Sequence, residues 1–411
     1  MKDKIKKILE KSQKYAKTDM LYVAKGGFWL TIAKGASIAT SFLLMLAFAN
    51  WLPQEEFGTY QFILSVAGIL SIFTLPGVNT ALTKSVAKNM EGSLVEAFRA
   101  KLSWGLLASL GMLMVSGWYF FNANTLLGWS FLVGGIFISL KYASTVFSSY
   151  WNGNKKFNVY SKYSIYSSVL ATIILISTIY LTNNVIYIVG AFFGSYAVFN
   201  YLFYVLTKRQ IENNDKDPET VPYGKSLTIM RIISIASNEL DRVLMWKFMG
   251  PAQVAIYSFS ILPINKLISL VPIPTLALPK LSDGNMSDEK KAGLMDKFWR
   301  LLIIMIPITA GLILIAPFIY RLAFPQYIES VVYFQILSLM LLAFPFSLLN
   351  TALVGEVKKK ALYMIKTVPP ILKIALLASL IPLYGILGAV IAMIAGKALQ
   401  SIMEFYYFRK I

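Results

Sequence analysis

The chain has 411 residues, 57% of them hydrophobic and only 14% charged, with 39 Lys and Arg against 20 Asp and Glu. Its mean hydropathy is +0.62. A soluble domain carries about 25% charged residues, so this composition excludes one, and a nucleic-acid binder of net charge +19 would not be this apolar. Without a single His or Cys, the chain has no Ser-His-Asp triad, zinc-protease motif, dithiol pair, haem ligand or iron–sulfur ligand. What remains is carboxylate, lysine, arginine, tyrosine and hydroxyl chemistry, or no covalent chemistry at all; the expectation is an all-α integral membrane protein, not an enzyme, without cofactor or metal.

The first 25 residues hold eight lysines, beginning Met1-Lys2-Asp3-Lys4-Ile5-Lys6-Lys7-Ile8. No short apolar stretch with a small-residue cleavage site follows, so this is not a cleaved signal peptide. Two readings stay open: a basic helix lying on anionic lipid, or a positive tail that only sets topology. A membrane helix needs about 20 mostly apolar residues. Such stretches occur at about 28–50, 59–83, 99–121, 126–150, 159–181, 184–207, 225–249, 252–278, 299–320, 328–353, 361–381 and 384–407, which makes twelve. The organisation read from them is a basic N-terminal segment (1–25), a six-helix bundle (26–207), a polar linker (208–224) and a second six-helix bundle (225–411).

With the N-terminus inside, 30 of the 39 basic residues fall on one side, including Lys84, Lys88, Arg99 and Lys101; one, Arg321, falls on the other. That bias places both termini and the linker in the cytoplasm. Trp51, Trp129, Trp151 and Trp299 lie near span ends, where an aromatic belt is expected. Pro76-Gly77 in the second span and Pro263, Pro272, Pro274 and Pro279 in the eighth permit kinks.

The halves repeat weakly. A shift of 197 residues lays Thr31–Ser41 over Thr228–Asn238 with five of eleven positions identical, Lys34 falling on Arg231, Tyr60 on Tyr257 and Phe62 on Phe259. A shift of 202 lays Gly153 over Gly355, each followed by lysines. An even number of spans per half makes this a parallel repeat, and such repeats usually hold substrate between the halves near mid-membrane.

Leu52-Pro53-Gln54-Glu55-Glu56-Phe57-Gly58-Thr59-Tyr60 and Leu75-Pro76-Gly77-Val78-Asn79-Thr80-Ala81, with Asn238, Asp241, Gly250 and Tyr257 in the second half, resemble the motifs of the lipid-linked oligosaccharide (Wzx-type, O-antigen) flippases of the MATE-like superfamily. Members often have Arg where Lys84 stands. The resemblance implies a V-shaped pair of six-helix bundles around a cationic cavity in the bacterial cytoplasmic (inner) membrane. It also implies outward transfer of an undecaprenyl-diphosphate-linked glycan by alternating access, with membrane lipids, a polysaccharide polymerase and glycosyltransferases as partners and no nucleic acid.

Eight cations lie within the spans: Lys34, Lys141, Arg231, Arg242, Lys247, Lys266, Lys373 and Lys397. Their acidic partners are Glu239, Asp241 and Glu404. Each bare charge at mid-bilayer costs several kcal/mol, so the excess points to a wet, electropositive cavity for an anion such as a diphosphate. Arg231, Ser234, Asn238 and Asp241 share a helical stripe, repeated by Lys34, Ser37 and Ser41. Lys34, Arg231, Lys141, Lys266 and Lys373 are the expected diphosphate ligands, with Ser37, Ser41, Ser234 and Asn238 lining the cavity. Lys34 has snorkelling to the headgroups as its alternative. Asp241 and Glu239 are candidate ion-coupling carboxylates, with a salt bridge to Arg242 or Arg231 as the alternative. Lys247 and Arg242 read as structural, and Glu404 as balancing Arg409 or Lys410. Tyr60, Tyr142, Tyr150, Trp151 and Tyr257 offer stacking faces for a glycan or serve as belt and core.

Rival functions are weaker. A membrane glycosyltransferase or polymerase generally carries a sizeable outer loop, and the outer loops here are short. Gly224-Lys225-Ser226 resembles the end of a phosphate-binding loop, but its first glycine is replaced by Glu219. A peptidoglycan-precursor flippase and a MATE-type cation-coupled drug antiporter remain as alternatives.

Overall fold

The long apolar runs leave every backbone N–H and C=O to be satisfied within its own segment, which in lipid favours helix. The computed structural model describes residues 20–270, 288–356 and 358–410, and all regular elements among them are helical. In chain order these are α1 (Met20–Trp51), α2 (Gln54–Leu70, extended by a 3-10 turn to Thr74), α3 (Gly77–Ala87), α4 (Ser93–Phe121), α5 (Thr125–Ala143) and α6 (Val146–Gly153). Then come α7 (Phe157–Leu181), α8 (Val185–Lys208), α9 (Thr220–Ile229), α10 (Ile232–Met249) and α11 (Pro251–Leu270). The last are α12 (Asp288–Ala323), α13 (Ser330–Ser338), α14 (Phe346–Gly355) and α15 (Lys359–Arg409).

Among the described residues, eight helical stretches are long and apolar enough to cross a membrane, and nine if a pair bent by 43° (Ser330–Ala343 with Phe346–Val354) is one span. The twelve stretches expected from hydropathy exceed these eight or nine, and several differ: the second breaks after Thr74, leaving α3 apart from α2. The seventh divides at Met230–Arg231 into α9 and α10, and α10 carries Glu239, Asp241, Arg242 and Lys247, too many charges for an apolar span. The rest of the expected eighth stretch after Leu270 lies outside the described residues, as do Pro272, Pro274, Pro279 and residues 1–19. The eleventh and twelfth run together as α15, which bends at Gly385, where φ is 56° and ψ −130°, a conformation open to glycine. Large apolar side chains such as Phe121, Leu314 and Phe318 stand exposed, as lipid-facing residues do.

The chain forms two compact units. One comprises the described residues up to Ala47 with Leu70–Met230, the other Phe48–Ile69 with Arg231 onward. In the first unit, α4 packs along α5, α5 along α8 and α3 against α9. The α3–α9 approach is close because two glycines meet there. A Cβ on Gly77 would sit 2.3 Å from the Gly224 carbonyl oxygen, and one on Gly224 would sit 2.5 Å from Val78 Cγ2. The Gly77 N–H donates to Thr228 Oγ1 at 3.0 Å. Gly224-Lys225-Ser226 therefore lies on a helix as a packing device. Val78, Val86, Tyr150, Trp151, Phe203 and Tyr204 form the core below it. Trp151 is buried and donates to Thr207 Oγ1 at 2.9 Å, so it is core and not belt, whereas Trp51, Trp129 and Trp299 are half exposed. Of the proposed stacking rings, Tyr60, Tyr150, Trp151 and Tyr257 are all fully buried.

The polar linker is pinned to the first unit by two carboxylates. Glu91 accepts from Tyr150 Oη (2.7 Å), Asn154 Nδ2 (3.2 Å) and the Glu212 backbone N–H (2.8 Å). Asp217 accepts from Ser85 Oγ (2.9 Å) and the Glu219 N–H (3.1 Å), with Lys88 at 3.6 Å. Burial pushes the Asp217 carboxyl up, but the Glu219 N–H, Ser85 and Lys88 outweigh it and hold the group below the ordinary carboxylate value.

In the second unit the Leu52–Tyr60 segment is a packing motif. Leu52, Phe57 and Tyr60 are buried, the Phe57 ring lies 5.0 Å from that of Phe259, and a Cβ on Gly58 would fall 1.8 Å from the Pro251 carbonyl oxygen. The glycine is what lets α11 begin there.

Two outcomes follow. Gly77→Ala or Gly224→Ala must push α3 and α9 apart and should cost about 1–3 kcal/mol. Gly117→Ala, which meets open space, should be neutral or stabilising by up to about 1 kcal/mol. Thermal unfolding in detergent separates them. A depressed folded-state pKa stabilises the fold above the unfolded value and is lost as pH falls. Asp217→Asn should therefore lower the melting midpoint at pH near 7, and the gap to wild type should close as pH falls to about 4 and below.

Candidate functional site

In the second unit α10 carries Asn238, Glu239, Asp241 and Arg242, each bonded to a neighbouring group, with Asp241 and Arg242 buried and Asn238 exposed. The Arg242 guanidinium (Nη1) pairs with Glu239 Oε2 at 3.0 Å and reaches Ser65 Oγ on α2 at 3.4 Å. Asp241 accepts from Tyr257 Oη on α11 at 2.7 Å and from the Arg242 backbone N–H at 2.8 Å. Lys373 of α15 donates to Asn238 Oδ1 at 3.3 Å. Asp241 is 1% exposed, Lys373 7% and Arg242 8%, and Arg242 Nε is buried without a hydrogen-bond partner. Gly68 on α2 makes room for the Glu239 side chain, which would lie 2.9 Å from an added Cβ.

The structure thus joins Asn238, Glu239, Asp241 and Lys373 in one network and supplies Arg242, Tyr257 and Ser65. Arg242 holds Glu239 in an ion pair, whereas Lys373 makes its one hydrogen bond among the described residues to a neutral amide. The charges of Asp241 and Glu239 also act on Lys373, so the cluster brings two bases and two acids together. Arg231 is exposed at the break between α9 and α10, so its helical stripe is interrupted there, whereas Lys34 lies on the unbroken α1. Ser234 Oγ donates to the Lys366 carbonyl at 3.4 Å, and Lys266 is half-buried on α11.

In the first unit, Lys34 is half-buried and Ser41 Oγ donates to the Ser37 carbonyl at 2.7 Å, within its own helix. Lys141 is held against aromatic faces: its ammonium lies 4.1 Å from the Phe192 ring centroid, 4.7 Å from those of Tyr142 and Phe193, and 5.8 Å from that of Tyr196. Cation–π attraction of this kind compensates a desolvated ammonium.

Two positions differ from expectation. Lys101, counted among the cytoplasmic loop charges, is 1% exposed within α4 and donates to Asn79 Oδ1 (2.8 Å) and Thr145 Oγ1 (3.3 Å). The apolar Leu94, Ala97 and Phe98 just before it are the sequence signal that α4 starts earlier. Glu404 does not balance Arg409 or Lys410. It is buried and accepts from Asn350 Nδ2 (2.7 Å) and Gln400 Nε2 (2.8 Å), beside Lys397 in a cavity of about 170 Å³.

Removing one partner of a buried ion pair costs about 3–5 kcal/mol, because the other charge is left bare. Arg242→Gln should therefore destabilise strongly, and Glu239→Gln/Arg242→Gln should recover part of that loss, read as melting midpoints of the purified protein.

Known proteins give this geometry its setting. The family model for polysaccharide biosynthesis proteins matches residues 23–285. No curated protein matches. Among solved structures, the lipid II flippase MurJ in an inward closed conformation superposes with a TM-score of 0.66 at 15% identity, covering 94% of this chain and 87% of that one. A multidrug resistance MATE family transporter of the MOP superfamily, outward-facing, gives 0.65 at 14% identity over 94% and 95%. A MOP superfamily transporter from Pyrococcus furiosus, described by a reversed polarity of its binding pocket, gives 0.65 at 15% identity over the same shares. At these identities the likeness is one of fold, that of multi-pass membrane transporters. The family match spans well over half of the sequence, and the chain belongs to the polysaccharide biosynthesis protein family.

Proposed function

We propose that the chain is a flippase that carries an undecaprenyl-diphosphate-linked oligosaccharide, an O-antigen or other surface polysaccharide repeat unit, from the inner to the outer leaflet of the bacterial cytoplasmic membrane. Family membership supports the pathway. The observation that carries the chemistry is the surplus of cations over carboxylates in the apolar spans, eight against three in the sequence, with Lys141 held, among the described residues, by aromatic faces alone. An anionic headgroup would complete what such a cation lacks. In this reading Lys34, Arg231, Lys266 and Lys373 hold the diphosphate, and Lys141 joins them when its ammonium leaves its rings. Ser37, Ser41, Ser234 and Asn238 line the path. Asp241 and Glu239 exchange a proton or cation as the transporter alternates. The twelve-span, two-repeat V-shaped architecture with cytoplasmic termini belongs to the same proposal. Outward movement of a negative headgroup is also favoured by an inside-negative potential, by about 2.3 kcal/mol per charge per 100 mV.

Mass spectrometry of membranes from a strain lacking the protein tests this. Undecaprenyl-diphosphate-linked repeat units should accumulate, clear with wild type and persist with Lys34→Gln/Arg231→Gln or Lys373→Gln variants that reach the membrane at wild-type levels. Accumulation of the peptidoglycan precursor instead would assign the alternative flippase. No accumulation, in a strain that makes the repeat unit and has no second flippase, would favour the antiporter.

A further inference from the structure

At the end of α15 the second unit carries a cleft that the transport reading does not use. It has a volume of about 640 Å³ and walls of Phe298, Trp299, Ile402, Phe405 and Tyr406, with Arg409 and Lys410 at its rim. The rings make a continuous wall: Phe298 lies 5.9 Å from Phe405 and 4.9 Å, edge to face, from Phe346. Trp299, Ile402 and Tyr406 are each at least half exposed, so the cleft is open along its length. The two cations fold back over its walls, Arg409 at 5.9 Å from the Phe405 ring and Lys410 at 4.3 Å from the Tyr406 ring. Neither has a carboxylate partner among the described residues, whereas the nearby Arg300 is paired with Asp296 at 2.9 Å. A hydrogen bond of 3.1 Å from Lys291 Nζ to the Arg409 carbonyl ties the start of α12 to the end of α15 beside it.

We infer that this cleft binds an anionic phospholipid of the surrounding bilayer, its phosphate on Arg409 and Lys410 and one acyl chain along the aromatic wall. The charge pattern selects the occupant. An uncharged chain would leave the rim cations unused, and a soluble anion would leave the apolar walls bare. An amphiphile with one phosphodiester satisfies both. Basic rims at the cytoplasmic ends of membrane helices are where anionic lipid is held, and the charge bias of the loops puts this end of α15 in that leaflet. A bound lipid would bridge α12, α14 and α15 and hold the base of the second unit together. The inference is independent of what the protein transports.

The test uses the full-length protein purified in detergent and titrated with phosphatidylglycerol, phosphatidylcholine or a polyprenyl diphosphate, with retained lipid read by native mass spectrometry and stability by melting midpoint. Phosphatidylglycerol should be retained and raise the midpoint, and phosphatidylcholine should do neither. Arg409→Gln/Lys410→Gln should weaken phosphatidylglycerol binding by about tenfold or more. Ile402→Trp, at an exposed position, should fill the cleft and abolish retention with both cations intact. Equal binding of the two phospholipids would overturn the inference, as would wild-type retention by both variants. Preferential retention of the polyprenyl diphosphate would overturn the bilayer lipid as occupant and assign the cleft to the substrate's tail. Clearance of lipid-linked repeat units by wild type, the test of the transport reading, stands whichever way this titration falls.

Discussion

An ionised side chain surrounded by hydrocarbon costs several kcal/mol unless something nearby replaces its water. This protein places charged groups inside its apolar helices repeatedly, and the compensation differs at each. Arg242 is met by Glu239, Asp241 by a tyrosine hydroxyl and a backbone N–H, Lys141 by aromatic faces and Lys101 by an amide and a hydroxyl. Groups matched by an opposite charge act as struts. Lys141 and Lys101, held only by neutral partners among the described residues, keep positive charge inside the first unit, whereas Asp241 and Glu404 do the opposite in the second.

The same constraint shapes the backbone. Helices break where polar groups can take over the freed hydrogen bonds: Leu75 adopts a left-handed conformation before Pro76, and the adjacent Gly77 N–H is received by Thr228. Lys101 sits between two such places, bonded to Asn79 just past one break and to Thr145 at the junction of α5 and α6. Glycines at 58, 77 and 224 let backbones approach closely where association rests on packing instead of water exclusion. The connecting segment after α8 is likewise held, since Glu91 and Asp217 turn a polar stretch into a fastened strap.

Family membership places the protein among polysaccharide biosynthesis proteins, and its fold is like that of membrane transporters. A charged network within the second unit, a caged lysine within the first and a cation-rimmed apolar cleft at a helix end are three separate solutions to one energetic problem.

Much of this was legible in the sequence because hydropathy and charge bias are local, additive properties. The membrane class, the helical secondary structure, most span positions and the placement of Asn238, Glu239 and Asp241 on a single helix all follow from them. Phe57 and Gly58 stand out in the sequence only as part of a family motif; that they pack against Phe259 and Pro251 is a tertiary fact. What the sequence by itself could not determine was which charges share a neighbourhood. Ser65 and Lys373 lie far along the chain from Arg242 and Asn238, which they bond, and with Tyr257, bonded to Asp241, they meet α10 only because α2, α15 and α11 pack around it. Lys101 reads as a loop charge until α4 is seen to begin at Ser93, and Glu404 reads as a partner of the terminal cations until Asn350 and Gln400 are found against it. Burial and pairing are sums over contacts between remote segments, so only the tertiary structure decided which charged groups are struts and which remain available to a ligand.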